Sequence, residues 1–339
     1  MAQEAPIKVF STSPPSRDAA PGDYLERVRQ VSRWSEQAGC HGILVYADNG
    51  LVDPWLVSQA IVAATERLSP LVAVQPVYMH PYSAAKMVAT LAFLHGRAVD
   101  LNLLAGGFRN DLLALGDPTP HDERYARTTE YGRIVSALLA GEQVDLDGSY
   151  YRVEKLKLQP ALAPELAPEI LISGSSPAGL AAALALGAVP VTYPGPPGEE
   201  QAPAGADRFG VRVGLVARGD ADDAWRIAHE RFPADRAGQI AHRAAMSVSD
   251  SHWHRQLSGR VEQQSSEQAE DPDPYWLFPF RNYQTFCPYL VGTYERLALE
   301  LRGYLALGCT HLILDVPASE DELGHVGQVL ERALSGMSA

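Results

Sequence analysis

The chain has 339 residues, which suits either two average domains or one (β/α)₈ barrel. Its 28 Lys and Arg residues against 41 Asp and Glu residues give a formal net charge of −13. We therefore expect no nucleic-acid partner and no anionic membrane surface, because both require a basic face. No apolar run approaches about 18 residues, and the N-terminus lacks a basic region followed by an apolar one. The three cysteines are far apart and form no CxxC pair. We therefore expect a reduced, cytoplasmic protein.

Short β-rich runs alternate with runs of helical spacing along the chain. The predicted strands are residues 7–11, 42–46, 71–76, 99–104, 169–172, 189–193, 208–216 and 311–316. The predicted helices are residues 24–38, 54–65, 83–94, 121–139, 176–186, 221–231 and 321–334. Eight strands joined by crossovers favour an α/β fold, the (β/α)₈ TIM barrel, over its rival, a doubly wound sheet. We predict a single domain over residues 1–339.

Two insertions interrupt this alternation. Residues 141–158 alternate around an Asp-Gly turn after the fourth helix and predict a β-hairpin. Residues 232–289, between strands 7 and 8, combine a polar tract, 258–274, with an aromatic stretch, 275–289. A long insertion near the carboxyl ends of barrel strands is where a lid would lie, and the alternatives are a surface excursion or an oligomer contact. The Pro- and Gly-rich stretch 194–205 predicts a reduced sixth crossover.

The sequence ILISGSSPAG, residues 170–179, is the strongest local motif. A strand ends at Ser173, the small Gly174 and Ser175 follow, and Ser176 can cap a helix that has Pro in its first turn. Backbone N–H groups and hydroxyls there would converge on an anion, and the helix dipole adds a partial positive charge. The motif predicts either a phosphate site for a cofactor or an ordinary capped turn. It is neither a Walker loop nor a dinucleotide GxGxxG.

Two further positions carry polar groups near the same strand ends. Asn102 lies at the end of strand 4 before a Gly-Gly pair that would let a ligand approach the backbone. Tyr125 lies early in the following helix, close to the strand 4 loop. Without a ligand-binding role, the segment around Asn102 would be a tight βα turn, and the segment around Tyr125 would be the start of a helix.

Metal and nucleophile motifs are missing from the sequence. His252 and His254 flank Trp253 and would point about 200° apart on a helix, at 100° per residue, so they cannot share an ion. No HExxH, His/Cys cluster or EF-hand loop occurs, and we expect no metal. Cys287 and Cys309 lack the sequence signature of a catalytic nucleophile. We expect both to serve as small apolar residues that pack in the interior.

Several long segments resemble the bacterial luciferase-like flavin monooxygenases, and within them most closely the alkanesulfonate monooxygenase branch. They are AGGFRNDLLALGDPTPHDERYARTTEY, VDLDGSYYRV, ILISGSSPAGLAAALALGA, DPWLVSQAIVAATERLSPLVAVQP and LALGCTHLILDVPASEDEL. The resemblance covers nearly the whole chain and is weakest at 195–207 and 232–290. It implies a TIM barrel that binds reduced FMN and uses O₂ to oxygenate an organic substrate through a peroxyflavin. It also implies a separate NAD(P)H-dependent flavin reductase as partner and a homodimer or homotetramer.

The resemblance assigns the cofactor-binding positions. Asn102 would contact the flavin ring region, and Tyr125 would reach the phosphate or the ribityl chain. The residues expected to hold the phosphate or line the isoalloxazine are Gln75, Ser173, Gly174, Ser175 and Ser176.

The resemblance also assigns catalytic and substrate positions. Arg212 on strand 7 and Arg281 in the lid-like insertion would act as catalytic cations, and a salt-bridged structural role is the alternative for both. The residues expected to contact substrate are Phe10, Tyr46, Trp276 and Tyr283.

Departures from the sulfonate branch bear on the substrate. Gly214 stands where that branch has His, Val316 where it has Tyr, and Leu51 where it has Cys. We therefore expect a substrate other than a simple alkanesulfonate. The aromatic insertion favours a more apolar or larger biosynthetic intermediate, amine- or amino-acid-derived, presented as a small molecule or on a carrier. The alternatives are a deazaflavin-dependent hydride-transfer enzyme of the same superfamily and, in a different class, a non-catalytic flavin-binding protein.

Overall fold

A computed structural model of the protein describes residues 7–249, 257 and 273–336. The predicted polar tract up to residue 272 lies outside the described residues, as do His252, Trp253 and His254.

The described strands confirm all eight predicted barrel strands. They are β1 (Lys8–Thr12), β2 (Gly42–Val45), β3 (Ser69–Val74), β4 (Asp100–Leu103), β5 (Val144–Asp147), β6 (Arg152–Leu156), β7 (Ile170–Ser173), β8 (Val189–Thr192), β9 (Phe209–Arg218), β10 (Tyr275–Trp276), β11 (Tyr289–Thr293) and β12 (Cys309–Leu314). The parallel order β1-β2-β3-β4-β7-β8-β9-β12 closes through pairing of β12 with β1. The chain is a (β/α)₈ TIM barrel, as predicted.

The helices lie between these strands. They are α1 (Pro21–Gln37), α2 (Pro54–Ala64), α3 (Pro81–His95), α4 (Arg109–Ala114), α5 (His121–Leu139), α6 (Pro177–Leu186), α7 (Ala221–Arg231), α8 (Arg236–Val248), α9 (Phe278–Arg281), α10 (Tyr294–Ala306) and α11 (Glu320–Ser335). No helix among the described residues combines the length and apolarity needed to cross a membrane.

By their internal contacts the residues group into two compact units. One unit is Ser13–Pro190, in which every residue of β2, β3 and β4 is buried. Strands that are buried along their whole length are typical of a parallel sheet covered on both faces. At the amino ends of these strands the buried Asp100 carboxylate accepts hydrogen bonds from Ser69 Oγ at 2.9 Å and from the Glu169 N–H at 2.9 Å. This polar cluster ties neighbouring strands together at the end of the barrel that serves stability.

The predicted hairpin is present in this unit as the antiparallel pair β5–β6. The Glu130 carboxylate on α5 accepts the N–H groups of Ser149 at 2.9 Å, Tyr150 at 2.9 Å and Tyr151 at 3.2 Å. One side chain therefore fastens the hairpin turn to the preceding helix.

The second unit comprises Met1–Thr12 and Val191–Ala339. Its central strand, β9, is ten residues long and buried throughout. It pairs with β12 over its first half and with β11 from Gly214 to Arg218. No helix lies in the described residues between β8 and β9, as the Pro- and Gly-rich stretch predicts.

The predicted lid-like insertion, residues 232–289, is followed by a further βα unit that the sequence pattern did not indicate. Strand β11 begins at Tyr289, and Thr293 caps α10 by accepting the Arg296 N–H at 3.2 Å. The short strand YLVGT contains a Gly and is followed at once by a helix, so its strand pattern is weak on its own. The long buried partner β9 supplies the pairing that makes it a strand.

Candidate functional site

The motif at residues 170–179 folds as a strand end followed by a capped helix. The Ser176 hydroxyl accepts the Gly179 N–H at 3.0 Å, and Pro177 occupies the first helical position of α6. Ser176 is only 3% exposed. This confirms the predicted N-cap and points the positive end of the α6 dipole toward the carboxyl end of β7.

Tyr125 of α5 packs directly against this turn. A Cβ atom at Gly174 would overlap the Tyr125 hydroxyl, and one at Gly179 would lie 3.1 Å from the Tyr125 ring. The His121 ring also contacts the Tyr125 ring in a T-shaped arrangement, with centroids 5.2 Å apart. Glycine at 174 is therefore required for Tyr125, which is 7% exposed, to reach the start of α6.

Asn102 and Ser173 are joined across neighbouring strands of the same unit. The Ser173 hydroxyl donates to Asn102 Oδ1 at 2.9 Å, and Asn102 is 3% exposed. Gln75, after β3, is half-buried and donates to the Ala47 carbonyl at 3.3 Å. The predicted cofactor residues thus gather at the carboxyl ends of β3, β4 and β7, where ligands bind in (β/α)₈ barrels.

Arg124 is a buried cation that the sequence analysis missed. It is 2% exposed and donates to the carbonyls of Thr119 at 3.0 Å and Gly106 at 3.2 Å. Gly106 in turn lies beside Gln75, because a Cβ there would come within 3.1 Å of Gln75 Oε1. Arg124 directly precedes Tyr125 in the sequence, but no local pattern indicated that the Arg124 guanidinium points inward.

These residues fit a phosphate monoester. The start of α6 offers the positive dipole end of a helix N-terminus, and hydroxyls from Ser176 and Tyr125 lie beside it. Among the described residues no group of three or more His, Cys, Asp or Glu side chains could hold a metal ion. Hydroxyls at a helix N-terminus are the donors of an anion site.

A second polar cluster lies in the unit formed by β9, β11 and β12. The Asp315 carboxylate, one residue after β12, accepts the hydroxyls of Thr285 at 2.6 Å and Tyr289 at 2.8 Å. Tyr289 is fully buried, and burial raises its pKa well above the ordinary value, so the phenol stays protonated and donates. Burial also raises the pKa of the Cys287 thiol to about 12, which keeps it neutral.

Gly214 makes room for this cluster. A Cβ atom at Gly214 would overlap the Tyr289 ring. The histidine that the sulfonate branch carries here therefore has no space while Tyr289 holds its position. Beside the ring, a cavity of about 20 Å³ is lined by Arg231, Asp315 and Glu322 among others. That volume accommodates a single water molecule.

The two predicted catalytic arginines lie in different settings. Arg212 is 9% exposed on β9, and its charge lowers the pKa of the neighbouring Cys287 thiol against the larger effect of burial. Arg281 is exposed at the end of α9. Their catalytic roles stay predictions.

The predicted substrate residues are also dispersed among different environments. Phe10 is fully buried and stacks on His311 with centroids 6.0 Å apart. Trp276 packs on Phe278 at 5.5 Å within an aromatic cluster. Tyr46 and Tyr283 are half-buried. Contact of any of them with substrate stays a prediction.

Comparison with known proteins agrees with the barrel and its polar strand ends. The profile of the family described as luciferase-like monooxygenase matches residues 6–311, and the chain belongs to this family. It is thus a flavin-dependent oxidoreductase of the monooxygenase type. The 4-(gamma-L-glutamylamino)butanoyl-[BtrI acyl-carrier protein] monooxygenase BtrO of Niallia circulans is 33% identical over 317 residues, covering 91% of this chain and 92% of that protein.

Two solved structures show the same fold at low sequence identity. The EDTA monooxygenase EmoA of Chelativorans sp. BNC1 has a TM-score of 0.71 at 15% identity, covering 96% of this chain and 93% of its own. An F420-dependent secondary alcohol dehydrogenase in complex with an F420-acetone adduct has a TM-score of 0.64 at 16% identity, covering 96% and 99%. Because both share this barrel, the fold alone does not choose between flavin and deazaflavin.

Proposed function

We propose that the protein is a two-component monooxygenase that uses reduced FMN and O₂ to oxygenate an acyl group held on a carrier protein. A separate NAD(P)H-dependent reductase supplies the reduced FMN. One oxygen atom of O₂ enters the substrate, the other leaves as water, and reduced FMN is oxidised to FMN. When bound, the reduced flavin supplies the electrons that activate O₂.

The observation that carries the FMN proposal is the capped start of α6 with Tyr125 held against Gly174. A terminal phosphate accepts hydrogen bonds from several directions, and this turn offers backbone N–H groups and hydroxyls together. Asn102, fixed by Ser173 at 2.9 Å, is the amide we assign to the flavin ring. Its burial limits its freedom, so it can orient the ring at little entropic cost.

The carrier-bound substrate is proposed from the 33% identity to BtrO, whose name specifies an acyl-carrier-protein substrate. The cluster around Gly214 agrees with a substrate other than a sulfonate. The Tyr289 ring fills the space next to this glycine, and its hydroxyl is committed to Asp315. The Tyr289 hydroxyl therefore does not donate to a sulfonate in place of the histidine.

We propose Arg212 and Arg281 as the cations that stabilise negative charge at the reacting oxygen or on the substrate. Fixed positive groups aimed at developing charge are the largest single contribution in many enzymes. Phe10, Tyr46, Trp276 and Tyr283 are proposed as the apolar surroundings that keep water from the reaction. The complete set of eight barrel strands argues against a purely flavin-storing protein.

We further propose a homodimer or homotetramer built on α2 and α3. Large apolar side chains project from these helices into solvent: Leu56 is 73% exposed, Phe93 74% and Leu94 62%. These exposed apolar side chains lie on two helices that contact each other, and exposed apolar patches mark protein–protein interfaces. Light scattering should give a multiple of 36.7 kDa for the wild type and a smaller mass for Leu56→Glu/Phe93→Glu. A monomeric wild type would contradict this proposal.

The reaction is tested with the 4-(gamma-L-glutamylamino)butanoyl-loaded BtrI carrier protein as probe. The protein, a flavin reductase, NADH, FMN and O₂ should give a carrier-bound product heavier by one oxygen atom. An anaerobic titration with F420 provides the competing outcome. Retention of the deazaflavin with hydride transfer and no O₂ uptake would identify the deazaflavin enzyme instead.

A further inference from the structure

We propose that the outward face of α8 is the docking surface for an acidic carrier protein that presents the substrate on its phosphopantetheine arm. The inference rests on the proposed carrier-bound substrate and adds the place where the carrier binds. We call the exposed residues Arg236, Ile240 and Arg243 the α8 face.

The opposite side of α8 is closed by packing within its own unit. A Cβ atom at Gly238 would overlap the Asn282 carbonyl, so the backbones of α8 and the end of α9 are in close approach. Gln239 donates to Asn282 Oδ1 at 2.8 Å, and the buried His242 packs on Phe280 with centroids 4.7 Å apart. These contacts fix which side of α8 points outward.

The α8 face consists of two guanidinium groups around an apolar side chain. Arg236, Ile240 and Arg243 are spaced i, i+4 and i+7, which places them on one side of a helix. All three are exposed, Ile240 to 54%. Within residues 7–249, 257 and 273–336, neither arginine has a carboxylate at salt-bridge distance. An exposed apolar anchor with charges at its edge is the usual composition of a transient interface.

The charge of the α8 face is opposite to that of the chain. The protein carries a net charge of −13, yet residues 236–249 contain two arginines and no Asp or Glu. Residues 275–293, which include α9, contain Arg281 and again no acidic residue. A small acidic protein is repelled by most of this surface and attracted here, so the field both steers and orients it. Nucleic acid is a poorer fit, because two to three cations cannot offset the repulsion of so acidic a chain.

The test is a double charge reversal, Arg236→Glu/Arg243→Glu, against a matched double reversal on the other unit, Arg67→Glu/Arg133→Glu. Arg67 and Arg133 are also exposed, and the two variants have the same net charge. Each is assayed with the loaded BtrI carrier and with the same acyl group on free pantetheine. Calorimetry measures binding of the substrate-free holo-BtrI carrier in parallel.

We expect the α8 reversal to raise the KM for the carrier-bound substrate about tenfold or more, as loss of two facing charge pairs does. Turnover of the pantetheine substrate and the matched control should be unchanged, and carrier binding should weaken with salt only in the wild type and the control. An unchanged KM and unchanged carrier binding in the α8 variant would overturn the docking surface. Equal loss on both substrates would also overturn it, since the arginines would then serve the chain's own site. Carrier binding that depends on the α8 face without any oxygenated product would support the surface and refute the proposed reaction.

Discussion

Replacing Gly174 with Ala tests the phosphate site with a single added methyl group. The new Cβ would overlap the Tyr125 hydroxyl. Tyr125 has little freedom to yield, because its ring already lies against Gly179 on one side and the His121 ring on another. The phenol must therefore swing away from the start of α6, at an overpacking cost of about 1–3 kcal/mol.

The displaced hydroxyl loses its hydrogen bond to the phosphate in our proposal. A hydrogen bond to a charged group is worth about 1.5–3 kcal/mol. At 1.4 kcal/mol per tenfold, the Kd for FMN should rise about 10- to 100-fold. Quenching of FMN fluorescence on titration with protein measures this, and anaerobic titration with reduced FMN repeats it for the working cofactor.

Two further variants make the result interpretable. Tyr125→Phe removes the hydroxyl directly, so its effect and that of Gly174→Ala should not add in the double variant. Gly187→Ala adds a methyl at the other end of the same helix, where φ is +61° and nothing lies within 4 Å. It should cost about 1 kcal/mol of stability and leave FMN affinity unchanged. Wild-type affinity in Gly174→Ala, or full additivity with Tyr125→Phe, would refute the site.

Three other predictions concern the second unit. Tyr289→Phe removes one of two hydroxyl donors to the half-buried Asp315 carboxylate. Urea unfolding should therefore show a loss of about 1.5–3 kcal/mol in the free energy of unfolding. Equal stability would disprove the role of this hydrogen bond. Gly214→Ala should lower the free energy of unfolding by about 1–3 kcal/mol, because the new Cβ overlaps the Tyr289 ring. Adding Tyr289→Leu should restore part of this loss. Strictly additive effects of the two substitutions would argue against the overlap. Burial, with a smaller effect of the neighbouring Arg243, lowers the pKa of His242 below its ordinary 6.5. On acidification, the unfolded chain therefore binds this proton at a higher pH than the folded chain does. The free energy of unfolding should fall as the pH drops below about 6.5, and this fall should be smaller in His242→Leu. An equal pH dependence in the variant and the wild type would contradict the assignment.

The sequence predicts well what is decided locally. Most of the eight barrel strands are short, mainly apolar runs with turn signals at their ends. The Ser176 cap depends on a residue only three positions away. The hairpin follows from its alternating pattern and Asp-Gly turn. Such features need no knowledge of distant contacts.

What the sequence could not predict depends on residues far apart in the chain. The bond between Tyr289 and Asp315 spans 26 positions, and the glycine that admits the ring lies on a third strand. Strand β11 becomes a strand by pairing with β9 and β10. The inward direction of Arg124 depends on the carbonyl of Gly106, 18 residues earlier. None of these leaves a local pattern.

Isotope labelling is the most direct test of oxygen transfer from O₂, with reduced FMN, to a carrier-bound acyl group. The reconstituted reaction with the loaded BtrI carrier is run under ¹⁸O₂, and intact-protein mass spectrometry follows the carrier. We expect one ¹⁸O atom in the product, strict dependence on reduced FMN, and no label from H₂¹⁸O. A product without ¹⁸O, or turnover that proceeds without O₂ when a reduced deazaflavin is supplied, would contradict this expectation.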